Sequence, residues 1–504
     1  MTATLGRPEP TTRRLGAFAL LALLAGPLLS MVDSNVVNVA VPDIARELHG
    51  TLSSVQWAVS GYLLALAAAL PATSWLAKRF GTVPVYTVSL AAFTAASAAC
   101  AVAGSVPALV TFRVAQGVVA APLVPLAMNL LFGGAGAARG GVPVSAGLVL
   151  FLGPALGPTV GGLLVSAWGW PWVFLVNVPI GLAALTAVPS LRRYGITSVR
   201  DRSARFDPFG LLLLSTGLVA ALFGTSEGPR YGWLSDRSWP YWTAGLVLLA
   251  GYLLWASRRE HPAVDLRLLR SPQPALAIWL CVLTSVALFA VLFLIPILVQ
   301  NLQGHSALAS GLVLLPQGIV MGLSTRLGMT LGERGHLRAG ILTGLVAVAV
   351  TTALLLLVEL DTPLWLTALI LAGRGVGLGL VIQPLLMALL GGLSETRLAD
   401  ANTLFNVAQR LGGSVGVSLL ATLFSVRVAE HVAAVLGPHA SVGSATGSLA
   451  QAPPALRARL ADAALSGFRE TILVAVVVAL VGLLFALLLR PRAAAGGDLA
   501  VPVD

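Results

Sequence analysis

Uncharged apolar segments of about twenty residues recur along the whole chain, and they limit its possible folds more than any other feature of the sequence. An α-helix of that length crosses a hydrocarbon core about 30 Å thick. The segments are continuous, whereas a membrane-spanning β-barrel has short segments of alternating polarity. Only 10% of the residues are charged, against about 25% in a soluble domain. The sequence therefore predicts an all-α polytopic membrane protein with fourteen spans: 15–40, 53–76, 82–102, 106–130, 138–166, 170–189, 207–226, 239–256, 274–300, 307–329, 338–358, 363–391, 401–427 and 468–489.

The basic residues divide the loops between the two sides of the membrane. About 20 of the 31 Lys and Arg residues fall in loops that the span order assigns to one side, which is the positive-inside distribution. Both termini are then cytoplasmic. Many Ala, Gly, Pro and Arg residues and a single lysine indicate a GC-rich bacterial gene, hence a bacterial plasma membrane. We predict two bundles with a site between them, divided as cytoplasmic N-terminus 1–14, six-helix bundle 15–189, basic loops with two inserted helices 190–273, second six-helix bundle 274–490 and cytoplasmic tail 491–504.

Several kinds of chemistry have no support in the sequence. The single lysine, Lys78, does not lie in the Gly-Lys-Ser/Thr context of a phosphate-binding loop, so this route to ATP hydrolysis is excluded. The two cysteines, Cys100 and Cys281, lie inside apolar runs and form no disulfide framework. The six histidines are scattered, which does not favour a metal site. We expect no enzyme activity, no metal, no cofactor and no nucleic-acid partner, with a proton gradient as the source of energy.

Asp33 is the first charge after the apolar run that begins at Leu15. A carboxylate in hydrocarbon costs roughly 2.5–3.5 kcal/mol even on insertion scales, so such residues usually face a cavity and serve a function. Arg113 and Gln116 are three positions apart and share a helix face. Because an arginine stays charged, Arg113 needs a carboxylate, carbonyl groups or water. We predict a proton-coupling pair of Asp33 and Arg113. Two alternatives stay open: Asp33 in water beyond a shorter span, and Arg113 reaching out to the membrane surface.

A stripe of glycines marks the predicted fifth span. Gly153, Gly157 and Gly161 repeat every four residues, and Pro154 and Pro158 lie beside them. Small residues at this spacing allow another helix to approach closely. Each proline removes a helix hydrogen bond and favours a bend. The pattern predicts a bent helix in close contact with a neighbour.

Six stretches resemble motifs of the fourteen-helix drug:proton antiporters of the EmrB/QacA type, which belong to the major facilitator superfamily. They cover the chain from about 15 to 490, and those of the N-terminal half are the most specific. The stretches are the antiporter motif at 153–162 (GPALGPTVGG), the first-helix motif at 33–42 (DSNVVNVAVP), the QW…Y pattern at 56–62, RVAQG at 113–117, the entry to helix six at 170–181 and a weaker pattern at 408–413.

The resemblance implies a major facilitator fold, with two six-helix bundles and two inserted helices. Asp33 and Arg113 would handle the proton, and Asn38, Tyr62 and Gln116 would contact the substrate in a cavity. The antiporter motif would form part of the interface that seals as the bundles rock, through Gly153, Pro154, Gly157, Pro158, Gly161 and Gly162.

Two features depart from the family pattern. The loop after helix two normally carries an aspartate that helps to latch the bundles on the cytoplasmic side, and Lys78 stands in its place here. This charge reversal calls the latch into question. The second departure is that spans 9 to 14 contain no acidic residue apart from Glu470, at the start of the last span, which weakens the case for dicationic substrates. The acidic residues nearest to these spans are predicted to lie in loops: Glu333, Glu359, Asp361, Glu395 and Asp400.

The leading hypothesis is a monomeric secondary antiporter that exports small hydrophobic compounds, cations among them, in exchange for protons. Such a protein would serve multidrug efflux and antibiotic resistance. The alternatives are an exporter dedicated to one endogenous metabolite or lipid, and an uncoupled facilitator. A membrane enzyme or receptor would need a soluble catalytic or sensory segment, and the longest predicted extramembrane segment, 428–467, shows no such features.

Overall fold

The structure is a computed structural model that describes residues 16–132, 157, 160–194, 200, 205–260, 262–390, 395–436 and 454–489. Regular structure in these residues is helical, and no strand occurs among them. The all-α class is thereby confirmed for the part of the chain that is described.

The N-terminal half contains helices that proline residues interrupt. The predicted span 53–76 is broken at Pro71 into two helices bent by 55°, because proline lacks the N–H that would continue the helix. Pro122 marks a similar break. The elements are α1 (Ala17–Glu47), α2 (Leu52–Ala69), α3 (Ala72–Phe80), α4 (Thr82–Ala101), α5 (Val106–Ala120), α6 (Leu123–Phe132), α7 (Trp172–Leu175) and α8 (Asn177–Ala187), which a 3₁₀ turn (Val188–Tyr194) follows; residues 160–168 are also helical.

The inserted pair and the C-terminal half contain the longest helices. The elements are α9 (Pro208–Tyr231), α10 (Trp239–Arg258), a 3₁₀ turn (Leu266–Arg270), α11 (Pro272–Pro296) with a π-helical end (Ile297–Leu302), α12 (Ala307–Glu333), α13 (Leu337–Leu354) with a 3₁₀ end (Leu355–Leu357), α14 (Leu364–Leu390), α15 (Glu395–Leu436) and α16 (Pro454–Ala486).

Eleven helices among the described residues are long and apolar enough to cross a membrane, or twelve if α2 and α3 count as one bent span. The predicted span 138–166 falls largely outside the described residues. The predicted span 239–256 coincides with α10, which is not among the eleven. The total of fourteen therefore stays a prediction.

Two predictions about the C-terminal half were wrong. The segment 428–467 is not a loop throughout, because α15 continues to Leu436 and α16 begins at Pro454. Asp400 and Glu395 are not loop residues either, since both lie in the first turns of α15. In each case polar residues extend a helix beyond its apolar part, and hydropathy alone places the end too early.

Buried side chains form one main core in each half. The first joins α1, α4 and α6 through residues such as Leu23, Tyr86 and Leu126, and it extends through the inserted helices to Met329 of α12 and Val407 of α15. The second joins α11, α13 and α14 through residues such as Leu280, Leu345 and Leu378. The two halves thus have distinct apolar interiors, and the first interior also includes side chains from the second half.

The inserted helix α9 connects the two halves. It packs against α2 on one side and α15 on the other, and α15 also contacts α3 and α6. Thr225 Oγ1 lies 3.4 Å from Ser414 Oγ, and Trp233 Nε1 donates to Thr422 Oγ1 at 2.9 Å. Both pairs are separated by 189 positions in sequence, so the end of α9 and the turn that follows it at Trp233 lie alongside α15.

Candidate functional site

Asp33 lies in the middle of α1 with none of its surface exposed. Arg113, in the middle of α5 and equally buried, donates from Nη1 to Asp33 Oδ2. Helix packing brings these residues together across 80 positions of sequence. The burial excludes both alternatives that the sequence left open: Asp33 does not lie in water, and Arg113 does not extend to the surface.

Two side-chain amides also donate to Asp33. Asn177 Nδ2 lies 2.9 Å from Oδ1, and Gln116 Nε2 lies 3.4 Å from the same oxygen. Both amides donate to Ser97 Oγ as well, at 3.2 and 2.7 Å respectively. The Gln116 carbonyl accepts from Arg113 Nη1 at 2.8 Å. Four helices, α1, α4, α5 and α8, therefore supply one continuous buried polar network.

Asn177 is the site residue that sequence reasoning missed. It belongs to the stretch 170–181, which resembles the family's entry to helix six, but no role was assigned to it. The available signal was an amide side chain at the start of an apolar helix, because such residues usually hydrogen-bond across helices in membrane proteins.

Tyr62 covers the guanidinium of Arg113 from the side of α2. Its ring centroid lies 4.0 Å from the guanidinium carbon, and the Phe174 ring lies at 5.6 Å. The Tyr62 hydroxyl donates to the Ser30 carbonyl at 3.3 Å. A Cβ atom on Gly117 would collide with the Tyr62 carbonyl oxygen. Glycine is therefore required there for the close approach of α2 and α5 that places the ring over the cation.

The network contains one group that can take up a proton and one that cannot lose its charge. Arg113 Nε donates to the Ala58 carbonyl at 3.0 Å, whereas Nη2 is buried without a hydrogen-bond partner among the described residues. Protonation of Asp33 would remove the anion that balances Arg113. Leaving a buried charge without its partner costs about 3–5 kcal/mol. A single proton can therefore change which arrangement of these helices is stable.

Asn38 lies apart from this network. Its side chain is exposed, and its Nδ2 donates to the Asn35 carbonyl at 3.3 Å. Asn38 follows Asp33 by five residues, which turns its side chain about 140° around the helix axis. The structure therefore does not bring Asn38 to Asp33.

The glycine stripe lies directly against α1 where it is described. A Cβ atom on Gly157 would lie 2.7 Å from the Asn35 Cβ, and one on Gly161 would lie 2.9 Å from the Val36 carbonyl oxygen. A Cβ on Gly162 would meet no atom within 4 Å. The predicted residues Gly153, Pro154 and Pro158 lie outside the described residues. The glycines at 157 and 161 thus allow this segment to pack on α1 within one turn of Asp33.

An ion pair joins the two halves at one end of the molecule. Lys78 Nζ lies 2.6 Å from Asp400 Oδ2, and Ser74 Oγ donates to Asp400 Oδ1. The Asp400 side chain is buried, and Lys78 is about a quarter exposed. The lysine at the position of the family's aspartate therefore finds its opposite charge on α15. We call this pair the latch and the end where it lies the latch end.

A cavity of about 760 Å³ lies between the halves. Its walls come from α2, α9, α11 and α15. Arg410 is the lining residue of α15 closest to the latch, ten residues or about 15 Å beyond Asp400. Tyr62 and Gln116, which were predicted to contact substrate, lie in the buried network and do not line this cavity. The other face of α2 does line it, so α2 connects the cavity with the network.

The structure has two helical bodies with a cavity between them, and helix α2 contacts the buried ion pair on one side and the cavity on the other. This arrangement is typical of a secondary transporter. The Major Facilitator Superfamily model matches residues 23–417. The chain belongs to this superfamily, as its motifs predicted, and it is a multi-pass membrane transporter.

Named relatives extend the comparison. The chain is 36% identical over 410 residues to the multidrug resistance protein B homolog of Mycobacterium tuberculosis, covering 79% of this chain and 74% of the relative. It is 32% identical over 433 residues to the tetracenomycin C resistance and export protein of Streptomyces glaucescens, covering 84% and 77%. It is 30% identical over 419 residues to the multidrug export protein EmrB of Escherichia coli K12, covering 82% and 80%.

A solved structure supports the fold. The human organic anion transporter MFSD10 matches 92% of this chain and 100% of its own, with a TM-score of 0.51 and 14% sequence identity. At this identity the likeness concerns the fold alone.

Proposed function

We propose that the chain is a proton-coupled antiporter of the bacterial plasma membrane that exports hydrophobic drugs or antibiotics by alternating access. Its termini lie in the cytoplasm, it acts as a monomer, and the proton gradient replaces any cofactor. The latch end is then the cytoplasmic end, because Lys78 lies in the last turn of α3, at the end that faces the positively charged side.

The buried pair of Asp33 and Arg113 is the observation that carries this proposal. Asp33 takes up a proton from the outside and releases it to the inside, and Arg113 stabilises the carboxylate when the proton has left. An ionisable residue within a membrane span is costly to bury, and such residues usually have a function. Asp33 accepts hydrogen bonds from Arg113 and Gln116 of α5 and from Asn177 of α8. A change in its charge therefore affects three helices, α1, α5 and α8.

Helix α2 transmits this change to the substrate. One face of α2 contacts Arg113 through Tyr62 and the Ala58 carbonyl, and its other face lines the cavity. Movement of α2 alters the cavity and, through α3, the latch. One charge that moves through 100 mV is worth about 2.3 kcal/mol, so a single proton can support about a fifty-fold concentration ratio.

The relatives support two substrate classes. Two of the three named above are called multidrug proteins, and the third is called an exporter of tetracenomycin C. We propose multidrug export, and export of one endogenous metabolite is the second candidate. A panel of unrelated compounds distinguishes them, because a dedicated exporter responds to one compound and a multidrug exporter to several.

The test measures proton release from inside-out membrane vesicles after addition of each compound of the panel. We expect release with the wild type and none with Asp33→Asn. The matched control is Asp43→Asn, which removes a carboxylate from the same helix that pairs only with Arg46, a largely exposed partner. This control should release protons as the wild type does.

Two results would contradict the proposal. Equal release by Asp33→Asn and the wild type would show that the proton is bound elsewhere. Movement of compounds across the membrane without any proton release would identify an uncoupled facilitator. Binding of the same compounds to purified Asp33→Asn protein shows that the variant is folded in either case.

A further inference from the structure

The cavity between the halves has an aromatic wall. Trp57 of α2 and Phe223 of α9 stack with their centroids 6.0 Å apart and their planes at 19°. Phe289 and Phe293 of α11 line the same cavity, and Tyr231 lines it at the end of α9. Surfaces of this kind bind flat aromatic compounds, because offset stacking is the favoured geometry of two rings.

Arg410 is the one cation among the described residues that line the cavity, and it differs from the buried arginines, Arg113 and Arg374. Arg113 donates to a carboxylate, and Arg374 donates to a carbonyl and a hydroxyl. Arg410 is half-buried and makes no hydrogen bond or ion pair with any residue in the described part of the chain. A guanidinium stays charged and presents five N–H donors in a fixed plane. Its donors are therefore available to whatever enters the cavity.

Glu227 is the one carboxylate that the described part of the lining contains, and it does not pair with Arg410. The register of α9 and α15 places Glu227 level with position 416. Six residues separate this position from Arg410, which corresponds to about 9 Å along the helix axis. Glu227 lies one turn before the end of α9, far from the latch, whereas Arg410 lies at the end of the cavity nearest the latch. The end of the cavity nearest the latch is therefore positively charged.

We propose that the cavity binds aromatic compounds that carry an anionic group, and that Arg410 binds this group. This inference rests on the proposed export function and names its substrate class. The rings of the bound compound lie against Trp57, Phe223 and Phe289, and its anionic group lies at the end of the cavity nearest the latch. Arginine matches carboxylate, sulfonate and phenolate oxygens through paired N–H donors, which a lone ammonium does not.

The test compares two probes that share one aromatic body. 1-Anilinonaphthalene-8-sulfonate is an anion, and N-phenyl-1-naphthylamine is its neutral parent. Equilibrium dialysis against the purified protein in nanodiscs, with empty nanodiscs subtracted, gives both dissociation constants. We expect Arg410→Gln to weaken binding of the sulfonate about tenfold and to change binding of the neutral parent less than about twofold.

Two further variants make the result specific. Arg410→Lys keeps the charge but not the paired donors, so it should recover only part of the affinity for the sulfonate. Glu227→Gln removes the negative charge that lines the same cavity and should not weaken binding of the sulfonate. Equal losses for both probes in Arg410→Gln would overturn the proposal, since the arginine would then serve the shape of the cavity. Equal effects of Arg410→Gln and Glu227→Gln on the sulfonate would overturn it as well.

The measurement needs no proton gradient. Failure of the Arg410 prediction therefore leaves the proton-release test of Asp33 unaffected, and a chain without proton coupling could still bind the sulfonate through Arg410. The two proposals thus fail separately.

Discussion

The fourth spanning helix of each half carries a fully buried arginine, and the two arginines have different partners. Arg113 of α5 donates to the carboxylate of Asp33. Arg374 of α14 donates to the Ala287 carbonyl at 2.6 Å and to the Thr352 hydroxyl at 3.3 Å, and its Nη1 is buried without a partner among the described residues. No carboxylate lies within ion-pair distance of Arg374 in the part of the chain that the structure describes.

The difference separates a switch from a fixed charge. A carbonyl and a hydroxyl compensate a guanidinium by their dipoles and keep the same charge throughout. A carboxylate can be protonated, and a proton on Asp33 changes the charge of the whole network. The two halves therefore have related frames, but among the described residues only the N-terminal frame pairs its buried arginine with a carboxylate.

Removing each arginine should give the largest contrast. Arg113→Met leaves Asp33 buried without its cation, which costs about 3–5 kcal/mol, whereas Arg374→Met removes a buried charge whose described partners are a carbonyl and a hydroxyl and therefore leaves no unpaired ion behind. We expect Arg113→Met to lose proton-coupled transport and stability, and Arg374→Met to keep both. Thermal unfolding of the purified variants and efflux from vesicles measure the two effects.

This pair of variants also tests the comparison itself. Equal damage by both substitutions would mean that the arginines are equivalent structural groups. The partner of Arg113 would then explain nothing about function. Arg113→Lys keeps the charge at this position. Transport by Arg113→Lys but not by Arg113→Met would separate loss of the ion pair from loss of packing.

The latch should give an intermediate effect, because it joins the halves at a partly exposed position. Lys78→Asp faces Asp400 with a like charge, and Asp400→Lys faces Lys78 in the same way. The exchange of both residues should restore the pair, with a coupling energy of about 0.5–3 kcal/mol. At about 1.4 kcal/mol for each tenfold change, the single variants should shift the population away from the state closed at the latch end by about tenfold.

Alkylation of a reporter cysteine measures this shift. Ser418→Cys places a thiol on the cavity wall, and the native Cys100 and Cys281 are buried. Labelling from the outside should fall in each single variant and recover in the double variant. Unchanged labelling in the single variants would show that the latch does not set the balance between the two states.

The sequence predicted the residues whose relation is local and missed those whose relation is tertiary. The three-residue spacing of Arg113 and Gln116 placed them on one face, and apolar runs placed Asp33 inside a helix. Asn38 was predicted to contact substrate from the family resemblance, and the structure places its exposed side chain on a different face of α1 from Asp33. The pairing of Lys78 with Asp400 spans 322 positions, and no local pattern encodes it. The cavity likewise depends on how α9 packs between the halves.

Asn177 offers the smallest and most specific change. Its amide donates to Asp33, and the surroundings of Arg374 contain no such carboxylate among the described residues. Asn177→Ala removes a hydrogen bond to a charged group, worth about 1.5–3 kcal/mol, and leaves Arg113 and Gln116 in place. We expect proton-coupled efflux to fall about tenfold, well short of the loss in Arg113→Met. Asn38→Ala, the matched asparagine on the exposed face of α1, should stay within about twofold of the wild type. Equal efflux by the two alanine variants would show that Arg113 alone sets the state of Asp33. The N-terminal network would then differ from its C-terminal counterpart by a single carboxylate.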